Sequence, residues 1–192
     1  MLNHEIEFKT LLTKEEFHQL KDRFQPFKKI WQKNFYFDTP DFQLKAHHCG
    51  LRIRLFADGK AEATLKTPAE VGLIETTELL SKKQLQTDWK KQFPTFESID
   101  KKLEFFNIVP STLVLFAELE TTRFEKDLKN NIAMMIDHSQ YYGTEDFELE
   151  VEVPNLEIGK PFYEHFLAEN HLSYRPAINK IARALNQKER SF

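Results

Sequence analysis

The sequence predicts an α+β fold, in which about eight strands form one closed sheet, a β-barrel, and helices pack outside it. Charged and apolar residues alternate in three separate stretches, residues 5–9, 51–54 and 147–153. Because successive side chains of a strand point to opposite faces, each stretch has one apolar and one charged face. In a closed sheet the charged faces all point inward and line a polar lumen inside an apolar exterior. The alternative is an ordinary sheet with solvated charged faces, and the recurrence of the pattern favours the barrel.

Composition and charge indicate which classes of protein this chain can belong to. The chain of 192 residues is long enough for a sizeable core, and we expect a single domain over residues 1–192. A net charge of −3 argues against bulk nucleic-acid binding, which requires a basic surface. The single Cys49 excludes an intrachain disulfide and indicates a reducing compartment. No apolar run approaches the roughly 20 residues of a membrane span and no signal-peptide pattern is present, so we expect a cytoplasmic protein without a membrane partner.

Capping and turn signals place the elements of the first half. Thr13 and Glu16 form a capping box, and apolar residues then recur at helical spacing up to Pro26, which predicts a helix. Asp58-Gly59 is the dipeptide favoured in tight hairpins. Strands are predicted over residues 5–9, 30–37, 51–56, 61–66 and 74–80.

The second half is predicted by the same signals. Residues 81–107 indicate helix, divided in two at Pro94, and Pro161 is expected at the first position of a later helix. Strands are predicted over residues 113–125, 131–137 and 147–153. A closing helix is predicted over residues 175–187, with a buried face of Ile178, Ile181, Ala182 and Leu185, and with Lys180 and Arg183 off that face.

Charges of both signs in a lumen require a compensating partner, because unpaired buried charge is costly. They either pair with one another as structural salt bridges, or hold a ligand that needs both signs, such as a polyphosphate with a divalent metal ion. Carboxylates suit Mg²⁺ or Mn²⁺, and arginine and lysine bind phosphate. The chain has only 5 glycines and no P-loop, so phosphate binding is expected from side chains.

An ordered set of motifs gives this sequence a family resemblance. The N-terminal pattern E-x-E-x-K is present as Glu5, Glu7 and Lys9, and further matches follow in order along nearly the whole chain. The sequence thereby resembles the CYTH superfamily of triphosphate tunnel metalloenzymes, and most of all its small bacterial YjbK-type branch. The later matching segments are residues 36–40, 51–54, 65–66 and 75–78, Arg123, Asp137, residues 148–152 and residues 179–183.

The resemblance implies an eight-stranded antiparallel tunnel that hydrolyses a linear triphosphate with Mg²⁺ or Mn²⁺. The implied substrate is inorganic tripolyphosphate, with nucleoside or thiamine triphosphate as the alternatives. It implies a catalytic pair, Lys66 and Tyr36, which activates water or assists the leaving group. The implied metal-site acids are Glu5, Glu7, Glu78, Glu148, Glu150 and Glu152, with Asp137 as an acidic tunnel position whose role is left open. The implied phosphate-binding residues are Lys9, Arg52, Arg54, Lys66, Arg123, Lys180 and Arg183.

Several points stay open at this stage. Strand parity puts Glu148, Glu150 and Glu152 on one face without showing which of them reach a metal, and puts Glu75 and Glu78 on opposite faces. Besides a triphosphatase, an adenylate cyclase and a non-catalytic polyphosphate or nucleotide binder are possible functions, and the chain is a monomer or a homodimer.

We expect Glu150→Gln and Lys66→Ala each to lower the rate of triphosphate hydrolysis by at least ~10²-fold, the scale typical of preorganised electrostatic groups.

Overall fold

The computed structural model describes residues 1–190, and a single curled antiparallel sheet of nine strands forms its centre. The two edge strands, β1 and β2, are consecutive in the chain and are separated only by Ile6. The N-terminal segment therefore pairs with β6 through its first half and with β9 through its second, which joins the two edges of the sheet. The predicted barrel is confirmed, but nine strands are present instead of about eight, because the first predicted strand is divided at Ile6.

The order of the strands across the sheet is β1-β6-β5-β4-β3-β7-β8-β9-β2. Most neighbours in this order are also neighbours in sequence, as the hairpin turns predict. The strands are β1 (Leu2–Glu5), β2 (Glu7–Leu12), β3 (Lys28–Asp38), β4 (Gly50–Phe56), β5 (Ala61–Pro68), β6 (Leu73–Leu79), β7 (Val114–Asp127), β8 (Ala133–Tyr141) and β9 (Thr144–Glu152).

Helices and connections cover the outer face of the sheet, where two apolar clusters lie. One cluster packs β3, β4 and β5 against the connection between β6 and β7. The other packs β2, β8 and β9 against α1 and α5. The helices are α1 (Lys14–Arg23), α2 (Gln43–Ala46), α3 (Lys82–Leu85), α4 (Glu97–Phe105), α5 (Leu156–Glu169) and α6 (Lys180–Arg190). None of these helices is long and apolar enough to cross a membrane, over the residues that the structure describes.

The capping box at Thr13 and Glu16 is present, and a second one is formed by Ser81 and Gln84. The division of residues 81–107 into two helices is confirmed, but both helices are shorter than predicted. Ser81 starts α3, which ends after a single turn at Leu85, and α4 begins only at Glu97. Between them the chain is irregular, and it buries Trp89 and Phe93 in the outer core. Packing of these two aromatic side chains outweighs the weak local preference for helix.

The two C-terminal helices begin at other residues than predicted. Asn155 caps α5 by accepting a hydrogen bond from the backbone N–H of Ile158 at 2.9 Å, so Pro161 lies inside the helix. Helix α6 begins at Lys180 and not at Arg175. The backbone of Arg175 is instead held on β2, because its N–H donates a hydrogen bond to the Thr10 hydroxyl and its carbonyl accepts one from the backbone N–H of Leu11.

The buried face of α6 also differs from the predicted one. Arg183 and Ala184 are its buried residues, whereas Ile178, which precedes the helix, is 53% exposed. The sheet beneath α6 offers carboxylates as well as apolar groups, and it therefore buries an arginine that the apolar periodicity placed off this face.

Candidate active site

The lumen of the sheet holds a cavity of about 570 Å³. Its wall is formed by residues of eight strands, β1 to β7 and β9, and by the start of α6. Most of the sequence-predicted site residues lie on its wall, namely Glu5, Glu7, Lys9, Tyr36, Arg52, Arg54, Lys66, Arg123, Glu150, Glu152 and Lys180.

Strand register brings these side chains together. Lys66 on β5 lies directly opposite Glu75 on β6, and Lys9 on β2 lies opposite Glu150 on β9. Residues that face each other across neighbouring strands have Cβ atoms about 5 Å apart, so long charged side chains meet easily. The alternation seen in the sequence therefore becomes one continuous charged surface inside the lumen.

Two arginines of β4 form a cationic part of the cavity. Arg54 is buried, and its Nε donates to Asn34 Oδ1 at 3.1 Å while its Nη1 lies 3.4 Å from Glu62 Oε1. Burial, followed by the positive charges of Arg52 and Arg123, lowers the pKa of Arg54 to about 9. The one nearby carboxylate does not compensate for this surplus of positive charge.

Arg52 has even weaker partners within the protein. Its only ion pair with a described residue joins Nη2 to Glu75 Oε1 over 3.9 Å, and its buried Nε has no hydrogen-bond partner. A buried donor without an acceptor carries a desolvation cost that a bound anion would remove. Arg52 and Arg54 together make this part of the lumen suited to an anionic ligand.

Carboxylates crowd the neighbouring part of the cavity. Lys66 Nζ lies 2.5 Å from Glu5 Oε2 and 2.9 Å from Glu75 Oε1, and Lys9 pairs with Glu7. Burial and then the charges of Glu5, Glu75 and Glu7 raise the pKa of Glu152. No ion pair joins Glu152 to another residue of the described chain, so Glu152 is the carboxylate of this part of the lumen that the neighbouring lysines leave uncompensated.

The donor chemistry of this acidic part fits a divalent metal ion. Carboxylate oxygens are the ligands that Mg²⁺ and Mn²⁺ prefer, and a bound cation would relieve the mutual repulsion of Glu5, Glu7, Glu75 and Glu152. Within residues 1–190 no three side chains of Asp, Glu, His or Cys already surround a common point that could hold a metal ion. Lysine ammonium groups stand among these carboxylates instead, so a metal ion would have to replace part of that pairing.

A compact ion-pair network lies beside the start of α6. Arg123 donates to Asp137 from Nε and Nη2 at 2.8 and 2.7 Å, and to Glu150 from Nη2 at 2.5 Å. Lys180 Nζ lies 2.9 Å from Asp137 and also contacts Glu150. Burial alone would raise the pKa of Asp137, but Arg123 and Lys180 outweigh burial and lower that pKa. The charges of this network compensate one another without a ligand.

Three predicted site residues lie behind the cavity wall. Glu148 is fully buried, where Lys180 approaches it to 3.4 Å and Arg183 donates to it. Arg183 also donates to Asp146 at 2.8 Å, and Asp137 belongs to the network described above. The structure therefore does not bring Asp137, Glu148 or Arg183 to the cavity surface, although the first two were predicted among the acids of the metal site and Arg183 among the phosphate-binding residues.

Glu78 is the predicted metal carboxylate that lies on the wrong face of the sheet. Its Oε1 accepts hydrogen bonds from the backbone N–H groups of Ser98 and Ile99, at 2.7 and 3.0 Å, in the first turn of α4 outside the barrel. The expected opposite orientation of Glu75 and Glu78 is present, and Glu75 is the inward residue. The placement of Glu78 in the lumen is therefore corrected to Glu75.

The two glutamates of β6 give a direct test of this correction. We expect Glu78→Ala to lower the free energy of unfolding by about 0.5–2 kcal/mol, the usual cost of losing a helix cap, without changing the affinity of the cavity for Mg²⁺. Glu75→Ala is expected to lower that affinity, because it removes a carboxylate that lines the cavity. Urea denaturation and calorimetric titration with Mg²⁺ check the two variants, and loss of Mg²⁺ binding in Glu78→Ala at unchanged stability would contradict the correction.

Sequence reasoning missed the polar residues that hold the arginines. Asn34 and Glu62 flank Arg54 across the sheet, and neither was predicted. The alternation of side chains along a strand could have identified both residues. Asn34 shares a strand face with the predicted Tyr36, and Glu62 shares one with Lys66.

Comparison with known proteins gives matches over nearly the whole chain. Residues 3–185 match the family model described as the CYTH domain. YjbK of Bacillus subtilis (strain 168), provisionally named a triphosphatase, is 37% identical over 191 residues, and the match covers 98% of this chain and 97% of YjbK.

Solved structures share the fold. A Bacillus halodurans protein, provisionally named an adenylate cyclase, matches with a TM-score of 0.87 at 34% identity over 95% of this chain and 97% of its own. HpAC1 of Hippeastrum, a provisional adenylyl cyclase described as having a dominant triphosphatase activity, matches with a TM-score of 0.78 over 96% of each chain. Its identity of 22% supports similarity of fold alone.

Proposed function

The chain belongs to the CYTH domain family, and on that premise we propose that it hydrolyses a linear triphosphate in its lumen with the help of Mg²⁺ or Mn²⁺. The relatives named as triphosphatases support a hydrolase of this kind. The observation that carries the proposal is the uneven charge of the lumen. Arg52 and Arg54 have only long ion pairs, of 3.9 and 3.4 Å, on one side of the lumen. On the other side Glu152 lies near Glu5, Glu7 and Glu75 and has no ion pair with a described residue.

A triphosphate with its metal ion supplies what both sides lack. Phosphate oxygens would accept hydrogen bonds from Arg52, including its unpartnered Nε, and from Arg54. Arginine guanidinium groups are rigid and remain charged, so they fix the phosphate chain in line for attack by water on the terminal phosphorus. Arg123, already fixed by Asp137 and Glu150, adds positive charge at the wall without having to move.

Lys66 and Tyr36 are the proposed groups nearest to the reaction. Lys66 Nζ is held by Glu5 and Glu75 and would donate a hydrogen bond to the oxygen of the departing phosphate as negative charge develops there. Tyr36, a residue only 2% exposed, lines the same cavity, and its hydroxyl would orient water there. Glu5, Glu7, Glu75 and Glu152 would hold the metal ion, which supplies charge neutralisation and polarises phosphoryl oxygens when bound.

A product assay separates this function from its alternatives. The purified chain is incubated with tripolyphosphate or ATP, with and without Mg²⁺ or Mn²⁺. Phosphate and pyrophosphate from tripolyphosphate are the expected products. Cyclic AMP from ATP would instead identify a cyclase, and tight binding without any product would identify a binding protein.

Lys66 and Lys33 form a matched pair for a test of the catalytic site. Each lysine contacts two glutamates, and their side chains are 22% and 24% exposed, but Lys66 points into the lumen and Lys33 to the outer face. We expect Lys66→Ala to lower kcat by about 10²-fold, the effect of removing one preorganised donor, while Lys33→Ala keeps normal turnover. Equal rates in both variants would contradict the role given to Lys66.

A further inference from the structure

Gln32 on β3 is a buried polar residue of the lumen to which the protein offers no hydrogen-bond partner. It is only 3% exposed, and it lines the same cavity as Arg54 and Arg123. Within residues 1–190, no hydrogen bond joins its side-chain amide to another residue. A primary amide carries N–H donors and an acceptor oxygen, and burying them unpaired lowers stability. Such an amide at a cavity wall indicates that its partner lies in the cavity.

Strand register explains why the wall itself supplies no partner. Directly opposite Gln32 stand Phe56 on β4, whose side chain has no polar atom, and Thr121 on β7. The Thr121 hydroxyl is already hydrogen-bonded to Ser139 Oγ on β8, at 3.1 Å. The cross-strand neighbours of Gln32 on both sides therefore leave its amide free for the cavity.

The next inward residue of β3 shows what a partnered amide does in this lumen. Asn34 is 1% exposed, and its Oδ1 accepts a hydrogen bond from Arg54 Nε at 3.1 Å. A neutral amide in this place holds the guanidinium group without compensating its charge. Gln32 lies two residues earlier on the same face and holds no arginine. β3 thus presents one amide to the protein and one to the cavity.

The position of β3 in the sheet places the free amide between two arginines. β3 lies between β4 and β7, and Arg54 pairs with Asn34 while Arg123 pairs with Ile30. These two partners are the inward neighbours of Gln32 along β3, so both arginines are its diagonal neighbours. Diagonal neighbours on adjacent strands are about 7–8 Å apart, which long side chains span. The positive charge of Arg123 also contributes to the lowered pKa of Arg54, as expected for guanidinium groups that lie close together.

An anion suits this position better than water. Water satisfies an amide but adds no negative charge beside Arg54, whose one ion pair with a described residue, to Glu62, spans 3.4 Å. A phosphate group has several acceptor oxygens, so it accepts hydrogen bonds from an amide and a guanidinium group at the same time. A third arginine or lysine at this position would bind phosphate too, but it would add to the repulsion between the two arginines already present.

We propose that Gln32 donates a hydrogen bond from Nε2 to a phosphate oxygen of the substrate beside Arg54, and is thereby a further substrate-binding residue of the lumen. This inference rests on the proposed triphosphate site. The unpartnered amide lowers the stability of the free protein, and the bound phosphate chain removes that cost. Affinity for the ligand and stability of the free protein are therefore expected to change in opposite directions when the amide is replaced.

Gln32→Met tests this, because methionine has nearly the same length and lacks the amide. Binding of tripolyphosphate is measured by calorimetry in EDTA, and KM and kcat are measured with Mg²⁺. We expect the affinity to fall by about 10- to 100-fold, the effect of losing one hydrogen bond to a charged group. The melting temperature is expected to be equal to that of the wild type or higher by about 2–4 °C. Gln140→Met, at an exposed residue of β8, is the control and should change neither quantity.

Gln32→Glu is a second variant with a sharper expectation. Its carboxylate would place a negative charge beside Arg54 and Arg123, where the phosphate oxygen is proposed to bind. We expect this variant to bind tripolyphosphate more weakly than Gln32→Met does, and to melt at or above the temperature of the wild type. Binding by Gln32→Glu as tight as that of the wild type would contradict the proposal.

The outcomes separate this inference from the proposed function. Unchanged affinity in Gln32→Met overturns the inference, and so does a melting temperature that falls together with the affinity, which would make the role structural. A loss confined to kcat, at unchanged KM and affinity, also overturns it. If the wild type binds tripolyphosphate without hydrolysing it, weaker binding by Gln32→Met supports the inference while the hydrolase proposal fails. If the wild type binds no tripolyphosphate with or without Mg²⁺, both fail.

Discussion

Replacement of Arg52 by alanine is expected to lower kcat/KM for a triphosphate by about 10³-fold, the scale of removing an arginine that stabilises phosphoryl-transfer charge. Arg52 leaves much of its hydrogen-bonding capacity unused. Among residues 1–190 its buried Nε has no partner, and its one ion pair spans 3.9 Å. A group so placed contributes little to the fold and much to a ligand. Steady-state phosphate release at several substrate concentrations measures the effect.

The free energy of unfolding of the Arg52 variants distinguishes a role in ligand binding from a structural role. We expect Arg52→Ala to leave the free energy of unfolding unchanged or slightly higher, because the substitution removes a positive charge that lowers the pKa of Arg54. Arg52→Lys restores the charge without the planar fork of donors and is expected to recover only part of the activity. Arg23→Ala, at an outer arginine paired with Glu169, is the control. Full activity in Arg52→Ala, or a large loss of stability, would contradict the assignment.

The alternation of side chains on strands explains why much of the site could be predicted from the sequence. Glu5, Glu7, Lys9, Arg52, Arg54 and Lys66 all reach the cavity, because parity decides which face a side chain occupies. The alternation of side chains does not show how far along the lumen a side chain lies, or which ion pairs it forms. Glu148, Glu150 and Glu152 share one face, yet Glu148 is enclosed by the cations of α6, while Glu152 faces the acidic part of the cavity without an ion pair to another described residue.

Other errors come from interactions that no local pattern contains. Glu78 was predicted as the metal-site acid of β6, because the sequence does not show which face of β6 is covered by α4. In the structure, the backbone N–H groups of residues 98 and 99 donate hydrogen bonds to Glu78 outside the barrel. The predicted helix around Trp89 is absent, because burial of aromatic side chains against the sheet outweighs helix propensity. β7 also contains a bulge, because Tyr36 of β3 pairs with Ala117 and Phe37 pairs with Leu115, which leaves Phe116 without a partner. A pairing between strands so far apart in the chain gives no local signal in the sequence.

Replacement of Asp137 by alanine is expected to have the largest effect on stability, lowering the free energy of unfolding by about 3–5 kcal/mol, the usual cost of breaking a buried ion pair. Asp137 is 0% exposed and accepts two hydrogen bonds from Arg123 while Lys180 lies 2.9 Å away. Its removal leaves Arg123 and Lys180 with fewer carboxylates. The remaining Glu150 and Glu148 do not fully replace it, because Glu148 also pairs with Arg183. The loss is large for a single domain, whose total stability is about 5–15 kcal/mol.

Urea denaturation followed by circular dichroism measures the loss, and Asp137→Asn provides a second variant that retains an acceptor oxygen and is expected to lose less. Glu120→Gln, which removes one charge from the outer pair with Lys33, is the control and should change stability by no more than about 0.5 kcal/mol. If Asp137→Ala unfolds at the same urea concentration as the control, the network is not structural. Asp137 would then have to be returned to the acids that serve the ligand. A loss of the expected size would instead show that Asp137 fixes the cations of β7 and α6, and would separate it from the acids around Glu152 that we propose for the metal ion.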